Sequence, residues 1–403
     1  MKASESNPNY PSKVREMTNY TIREIKKVCK DIGPRPSGEE NERKAQDYVA
    51  DSMSKVADSV VKEKFELHPK AFMGWVPLDV ILMTISVILT LLSYFDVLPS
   101  ASTAFSVVSV VLTSLAIIFT FFEFLLYKKF LDPFFPKRET YNVVCTRKAA
   151  GETKRRIVFS GHIDSAYEWY FTHLGGGKLL TTMIALAFGA IAITLAASIV
   201  SFFDVPNGVR VTAIVVLFVC LIPILMCSLF VNWKLCVPGA NDNLTGVFAS
   251  MSVLRYMAAN DIRFENTEVV CVSMACEEAG LRGAKEYVKK HCGEDNVETV
   301  FVGTDTLRDF DDMGVYNKDM TGTVKLDKQA AAMVKHASDI AGYNLPYSSV
   351  FFGSSDAAAI QQGGMKAVAL AAMDPTPARY YHTRGDTRSE EHTSELQSHS
   401  FIS

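Results

Sequence analysis

Val269-Val-Cys-Val-Ser-Met-Ala-Cys-Glu-Glu-Ala-Gly-Leu-Arg-Gly283 is an apolar, β-branched run that ends on two adjacent carboxylates and turns through glycine into a helical pattern. A continuous apolar run this short reads as a strand covered on both faces, as in parallel sheets flanked by helices. The same design recurs on either side of it. Runs at 141–146, 156–160, 267–274, 299–303 and 366–372 read as strands, while helical periodicity falls at 246–259, 280–291 and 327–341. Further upstream, 18–29 and 39–55 carry helical patterns separated by the breaker run Gly33-Pro-Arg-Pro-Ser-Gly38. Strands alternating with helices predict an α/β domain with a mixed, mainly parallel central sheet. Functional side chains are then expected just beyond the carboxyl ends of the strands.

Four other stretches, 75–95, 104–127, 181–203 and 211–231, are apolar throughout. Each is close to the roughly 20 residues a helix needs to cross about 30 Å of hydrocarbon. The last two hold no formal charge, and Asp79 and Glu123 lie near the ends of the first two. Core helices of soluble proteins rarely run this long without a polar face, so four transmembrane helices are expected. Short connections at 96–103 and 204–210 join them into two hairpins. Near the spans, Lys70, Lys128, Lys129, Lys137, Arg138, Lys178 and Lys234 lie on the side of the long polar segments, against only Arg210 in the short loops. The positive-inside rule therefore predicts an integral membrane protein with cytoplasmic polar segments and the lipid bilayer as a partner. None of the eight cysteines forms a C-x-x-C pair, which fits reduced thiols, and residues 1–30 hold no apolar leader. With a net charge of −3 and no basic cluster, nucleic acid is not an expected partner.

The chemistry-bearing side chains fall at the expected strand ends. Ile157-Val-Phe-Ser-Gly-His-Ile-Asp164 is a strand closing on His162 and Asp164, a pairing in which a carboxylate orients one ring nitrogen while the other faces a metal. Pro238-Gly-Ala-Asn-Asp-Asn-Leu-Thr-Gly246 precedes a helix, so Asp242 reads either as an N-cap or as a carboxylate whose two oxygens bridge two cations. Glu277 and Glu278 form either a solvated acidic turn or a pair whose repulsion a cation and a proton resolve. A fourth strand delivers Asp305. The fifth leads through Asp374-Pro-Thr-Pro to Tyr380-Tyr-His-Thr-Arg-Gly-Asp386, where His382 is an isolated imidazole of the kind that is most often solvated.

The succession H-x-D, G-x-N-D-N, E-E-x-G-L-x-G, Asp and Y-H-T-x-x-D-T resembles the co-catalytic zinc aminopeptidases, family twenty-eight of the metallopeptidases, which also includes glutamate carboxypeptidase and aminopeptidase Y. The run at 33–38 and Tyr141-Asn-Val-Val resemble the same family. The resemblance covers nearly all the polar sequence and none of the hairpins. It implies a three-layer zinc-exopeptidase-like domain and two zinc ions. His162 and Asp305 would hold one, Glu278 and His382 the other, and Asp242 would bridge them. Glu277 would be general base toward the attacking water, Asp164 would hold His162, and Tyr380 or Tyr381 would donate to the oxyanion. A peptide substrate follows, with a discontinuous peptidase domain at 1–74, 128–180 and 232–387 and transmembrane hairpins at 75–127 and 181–231.

Three features depart from the pattern. His162 and Asp242 are far apart, and the second hairpin lies within that gap. Ala357 follows Asp356 where the family often has His, leaving Asp356 a supporting role. The surroundings of Asp305 are atypical, with Asp309 as the fallback ligand. The tail at 388–403 resembles translated sequencing adapter and is expected to be non-native, so that His392 and His399 carry no function. The readings set against an aminopeptidase are a catalytically silent scaffold or receptor, a glutaminyl cyclase-like enzyme, and a transport path through the hairpins. Side-chain preference, exopeptidase direction and oligomeric state leave no signature in the sequence.

Overall fold

The computed structural model describes residues 10–350, 352–373 and 380–387. The adapter-like tail and residues 374–379 fall outside them. The chain divides into two compact units, one built from the described residues up to Pro69, Lys137–Glu168 and those from Lys234 onward, the other from Lys70–Pro136 and Trp169–Trp233.

The first unit is built on one mixed sheet. Its strands are β1 (Ser59–Leu67), β2 (Arg138–Arg147), β3 (Arg155–His162), β6 (Thr267–Met274), β7 (Glu298–Asp305), β8 (Met313–Asp319), β9 (Val324–Lys325), β10 (Tyr347–Ser349) and β11 (Lys366–Ala372). They run in the order β1-β2-β6-β3-β7-β11-β8-β10, with β9 beside β8; the short strands β4 (Tyr167–Trp169) and β5 (Val231–Cys236) form a separate pair. The centre, β6-β3-β7-β11, is parallel, whereas β1-β2, β2-β6 and β11-β8 pair antiparallel. β1 and β8 to β10 lie beyond the strands expected from sequence. β1, Ser59-Val-Val-Lys-Glu-Lys-Phe-Glu-Leu67, is an edge strand whose charged side chains mask its β-pattern.

Helices cover both faces. Val302 of β7 packs in one cluster with Ala330, Ala331 and Val334 of α9 (Lys328–Ala341), whereas Phe301 faces Tyr287 of α8 (Arg282–His291), ring centroids 6.3 Å apart. Neighbouring residues of a strand point to opposite faces, so these contacts define three layers. α1 (Tyr10–Asp31), α2 (Glu40–Met53) and α7 (Leu244–Ala259) share a second cluster with Tyr141, Val143 and Cys145 of β2 and Val269 and Cys271 of β6. The short α10 (Asp356–Gln362) precedes β11.

The second unit holds four helices long and apolar enough to cross a membrane. They are α3 (Ala71–Tyr94), α4 (Ser102–Phe119), α5 (Tyr170–Val200) and α6 (Asn207–Met226); α4 continues as a π-helical turn over Thr120–Leu125. The first, third and fourth helices begin several residues before the apolar windows at 75, 181 and 211, because their opening turns contain polar or glycine residues that hydropathy does not count. α5 is broken at Gly176, whose φ of 64° is open to glycine. The interior of this unit is not purely apolar. Ser86 and Thr90 of α3, Ser109 and Thr113 of α4 and Ser198 of α5 join their hydroxyls at 2.6–2.7 Å in a fully buried ladder.

Candidate metal centre

Parallel pairing at the centre of the sheet assembles the site. β3 is in register with β6 at His162↔Met274 and with β7 at Ser160↔Gly303. The carboxyl ends of three neighbouring strands therefore deliver His162, Glu277 with Glu278, and Asp305 to one edge. α7 brings the fourth element by close approach. A Cβ at Gly161 would lie 2.3 Å from the Val247 nitrogen, and one at Gly246 would lie 2.2 Å from the Thr304 oxygen. Glycine at both positions lets the first turn of α7 rest backbone to backbone on β3 and β7.

The ambiguity at the start of α7 resolves in this geometry. Asn243 is the N-cap: its Oδ1 accepts from the Gly246 amide at 2.9 Å and its Nδ2 donates to the Thr304 carbonyl at 2.9 Å. Asp242, joined to it by a cis peptide, is left to face the site. Its Oδ1 lies 3.1 Å from His162 Nε2 and its Oδ2 lies 3.1 Å from His382 Nε2. His382 Nε2 also lies 3.1 Å from Glu278 Oε1. Glu277 Oε2 and Asp305 Oδ1 each approach His162 Nε2 at 3.9 Å. All five candidate ligands and Glu277 are thus brought together, and all but the half-buried Glu278 are buried.

Asp164 does more than orient His162, whose Nδ1 lies 3.3 Å from its Oδ1. It also accepts from the Glu277 amide at 3.1 Å, the Glu278 amide at 3.0 Å and the Ser37 hydroxyl at 2.7 Å. Its carboxylate therefore fixes the backbone that carries both glutamates. Asp386 acts in the same way on the opposite wall, accepting from the Asn241 amide at 2.7 Å and the Asp242 amide at 3.0 Å. Glu42 accepts from the Cys276 amide at 2.8 Å. The buried guanidinium of Arg35 donates to four carbonyls, those of Ile163, Gly33, Pro238 and Gly239, at 2.6–2.9 Å. Sequence reading gave no role to Ser37, Asp386, Glu42 or Arg35. Arg35 and Ser37 sit in the proline-rich run that read as a breaker and as part of the family resemblance, and nothing in one dimension tells a supporting carboxylate from a surface one.

Asp309 lies apart from the cluster, with its carboxylate accepting from the Tyr380 hydroxyl and its Oδ1 3.3 Å from Arg308 Nε. Tyr380 is therefore committed there, while Tyr381 stacks on His382 with ring centroids 4.0 Å apart. Asp356 is buried, and its Oδ1 has no hydrogen-bond partner among the described residues.

The electrostatics show what this arrangement lacks. Burial drives the Glu277 carboxyl well above the usual carboxylate range; His162 opposes this, and Glu278, Asp356 and Asp305 add to it. Burial likewise raises Asp305, and it lifts Asp356 to about 7. Asp242 goes the other way: burial would raise it, but His162 and His382 together hold it below its ordinary value. His382, despite burial, is raised to about 10 by Glu278 and Asp242. So many buried carboxylates around two imidazoles call for positive charge. Two overlapping sets, His162–Glu277–Asp305 and His162–Asp242–Glu278, each bring one donor atom apiece within 4.8 Å. Imidazole nitrogens and carboxylate oxygens suit zinc, and Asp305 Oδ1, buried without a hydrogen-bond donor among the described residues, is the kind of atom a cation satisfies. His162 also has the orientation of a metal-bound imidazole, Nε2 toward the cluster and Nδ1 toward a carboxylate.

Residues 228–403 match the model of peptidase family M28. No curated protein matches the sequence. Among solved structures, the fold is similar to an aminopeptidase from Aneurinibacillus sp. strain AM-1, with a TM-score of 0.55 at 13% identity over 97% of this chain and 94% of that one. It is similar to a zinc aminopeptidase of Bacillus subtilis, with a TM-score of 0.54 at 14% identity over 95% and 92% of the two chains. It is also similar to a glutaminyl cyclase of Porphyromonas gingivalis, with a TM-score of 0.53 at 9% identity over 94% of each chain. The protein thus resembles the zinc exopeptidases of peptidase family M28, in sequence from residue 228 onward and in the fold of the sheet that carries the site.

Proposed function

We propose that this protein is a membrane-anchored, zinc-dependent aminopeptidase that removes N-terminal residues from peptides, with its peptidase unit in the cytoplasm. The observation that carries the catalytic reading is the position of Asp242, which turns one oxygen toward His162 and the other toward His382, each at 3.1 Å. A carboxylate placed in that way can serve two cations at once. His162 and Asp305 would hold one zinc, Glu278 and His382 the other, with Asp242 between them. When bound, such a pair polarises a peptide carbonyl and makes water a nucleophile near neutral pH.

The chain's own residues supply the proton handling. Glu277 accepts a proton at its carboxylate from the attacking water and returns it to the leaving amine. Asp164 keeps Glu277 in place through the backbone and His162 through its ring. With the Tyr380 hydroxyl bonded to Asp309, Tyr381 would be the tyrosine that donates toward the developing oxyanion. Lysines flanking the long apolar helices support the cytoplasmic placement.

Metal analysis of the purified protein, combined with assays on aminoacyl and N-blocked peptides, tests this reading. Two zinc ions per chain and cleavage only where the amino terminus is free are expected. Absence of metal, or undiminished activity in Glu277→Gln, would sink it. The similarity in fold to glutaminyl cyclases favours one second reading, cyclisation of N-terminal glutamine. Ammonia release from a glutaminyl peptide without peptide-bond cleavage would select it.

A further inference from the structure

Four of the five candidate ligands take their place from regular structure or its immediate ends. His162 and Asp305 close β3 and β7, Asp242 precedes the cap of α7, and Glu278 rides on backbone that Asp164 clamps. His382 sits instead in the loop over 380–387, with a φ of 50°. A residue other than glycine keeps that left-handed backbone where its surroundings enforce it. Two turns shape the loop from within: the Thr383 amide donates to the Tyr380 carbonyl and the Asp386 amide to the Thr383 carbonyl, each at 3.0 Å. From outside, Tyr380 is tied to Asp309, and Asp386 to the amides of Asn241 and Asp242. Between those ends stands Arg384, two residues past the ligand. Its Nε donates to Glu168 Oε1 at 2.7 Å and its Nη2 to Oε2 at 2.6 Å, and its amide donates to Oε1 at 3.4 Å. A guanidinium fork that meets both oxygens fixes direction as well as distance.

The two partners differ in burial. The Glu168 side chain is 0% exposed and that of Arg384 is 51% exposed. Water would satisfy the arginine, whereas a carboxylate taken out of water is costly unless it is paired. The arrangement therefore serves as an anchor, in which a buried acceptor holds one point of a loop. Glu168 is itself part of β4, which pairs with β5, and the chain passes from it into the helical unit at Trp169. We infer that Glu168 and Arg384 are a positioning pair for His382, holding its imidazole toward the zinc it would share with Glu278 and so setting that ion's affinity. The inference rests on the two-zinc reading above. Outer groups that orient a metal ligand typically contribute about 10–100-fold in metal affinity. The zinc on His162 and Asp305 takes its ligands from strand ends and should depend on the pair far less.

Zinc titration of the metal-free full-length protein in detergent, in competition with a chromophoric chelator, tests it. Two binding steps are expected for the unaltered protein. Glu168→Gln, which keeps the shape of the side chain and removes its charge, should weaken one step about 10–100-fold and leave the other within about threefold. Arg384→Lys keeps the charge but loses the fork, so it should weaken the same step by a smaller factor. Combining the two substitutions should add little to Glu168→Gln alone, because both break one tie. Arg384→Lys leaves the buried carboxylate a cationic partner, so it decides the matter should Glu168→Gln fail to fold. Equal weakening of both steps in the folded variants would overturn the pair, and so would unchanged affinities alongside a lowered melting midpoint, the mark of a structural prop. Either result leaves the two-zinc reading standing. An unaltered protein that binds no zinc, or one ion, would overturn that reading and the positioning pair together.

Discussion

The Asp164 carboxylate clamps, through the Glu277 and Glu278 amides, the stretch of backbone that carries Glu277, the proposed general base. Removing the Glu277 carboxylate while keeping its shape separates the two roles. Glu277→Gln is expected to lower kcat by about 10²–10⁴-fold, the usual weight of a positioned general base, with zinc content unchanged by metal analysis. Arg35 tests the supporting layer. Arg35→Met leaves four carbonyls, two of them buried, without their donor and should cost about 3 kcal/mol, read as a lower midpoint in chemical unfolding of the solubilised protein. The proposed general base stood out in the sequence as one of two adjacent carboxylates at a strand end. The arginine did not, because three of its four carbonyls lie more than a hundred residues away.

At the scale of elements, α8 is tied to the edge strand by a titratable latch. His291 Nε2 lies 3.0 Å from Glu63 of β1, with Lys290 Nζ at 2.6 Å from the same carboxylate. Burial disfavours the imidazolium, yet Glu63 and Glu294 outweigh it and raise the His291 pKa above its ordinary value. A group raised on folding stabilises fully below its unfolded pKa, near 6.5, and that stability is lost as pH rises through the folded value. Thermal melting should therefore fall as pH rises above about 6.5, and Glu63→Gln should flatten that slope. In the helical unit, Ser109 bonds hydroxyls on two other helices, whereas Ser114, among the described residues, bonds the Val110 carbonyl of its own helix. Ser109→Val is expected to destabilise by about 1–2 kcal/mol and Ser114→Val by less than about 0.5 kcal/mol, measured by thermal unfolding in detergent. Hydropathy registered these helices as apolar runs; which serines face inward is a matter of rotation about each axis, and that is set by the neighbours.

For the molecule as a whole, a chain that folds into two units interleaved along the sequence carries, among the described residues, its candidate metal-holding clusters in one of them. Chelation should speed hydrogen exchange at the carboxyl ends of β3, β6 and β7, with α3 to α6 as the internal reference. Zinc should reverse it, since a ligand bound only by the folded site stabilises it by mass action. The alternation of strands and helices, the four long apolar helices and the candidate ligands were legible in the amino-acid order, because periodicity, length and side-chain chemistry are local properties. What tertiary structure alone decided is which of those groups meet. Parallel register brings His162, Glu278 and Asp305 to one edge, Asn243 takes the cap and frees Asp242, and Asp309 is drawn off to Tyr380. Loop packing sets Arg384 against the buried Glu168. These outcomes depend on backbones packed at contact distance over separations of tens to hundreds of residues, and no local pattern carries that information.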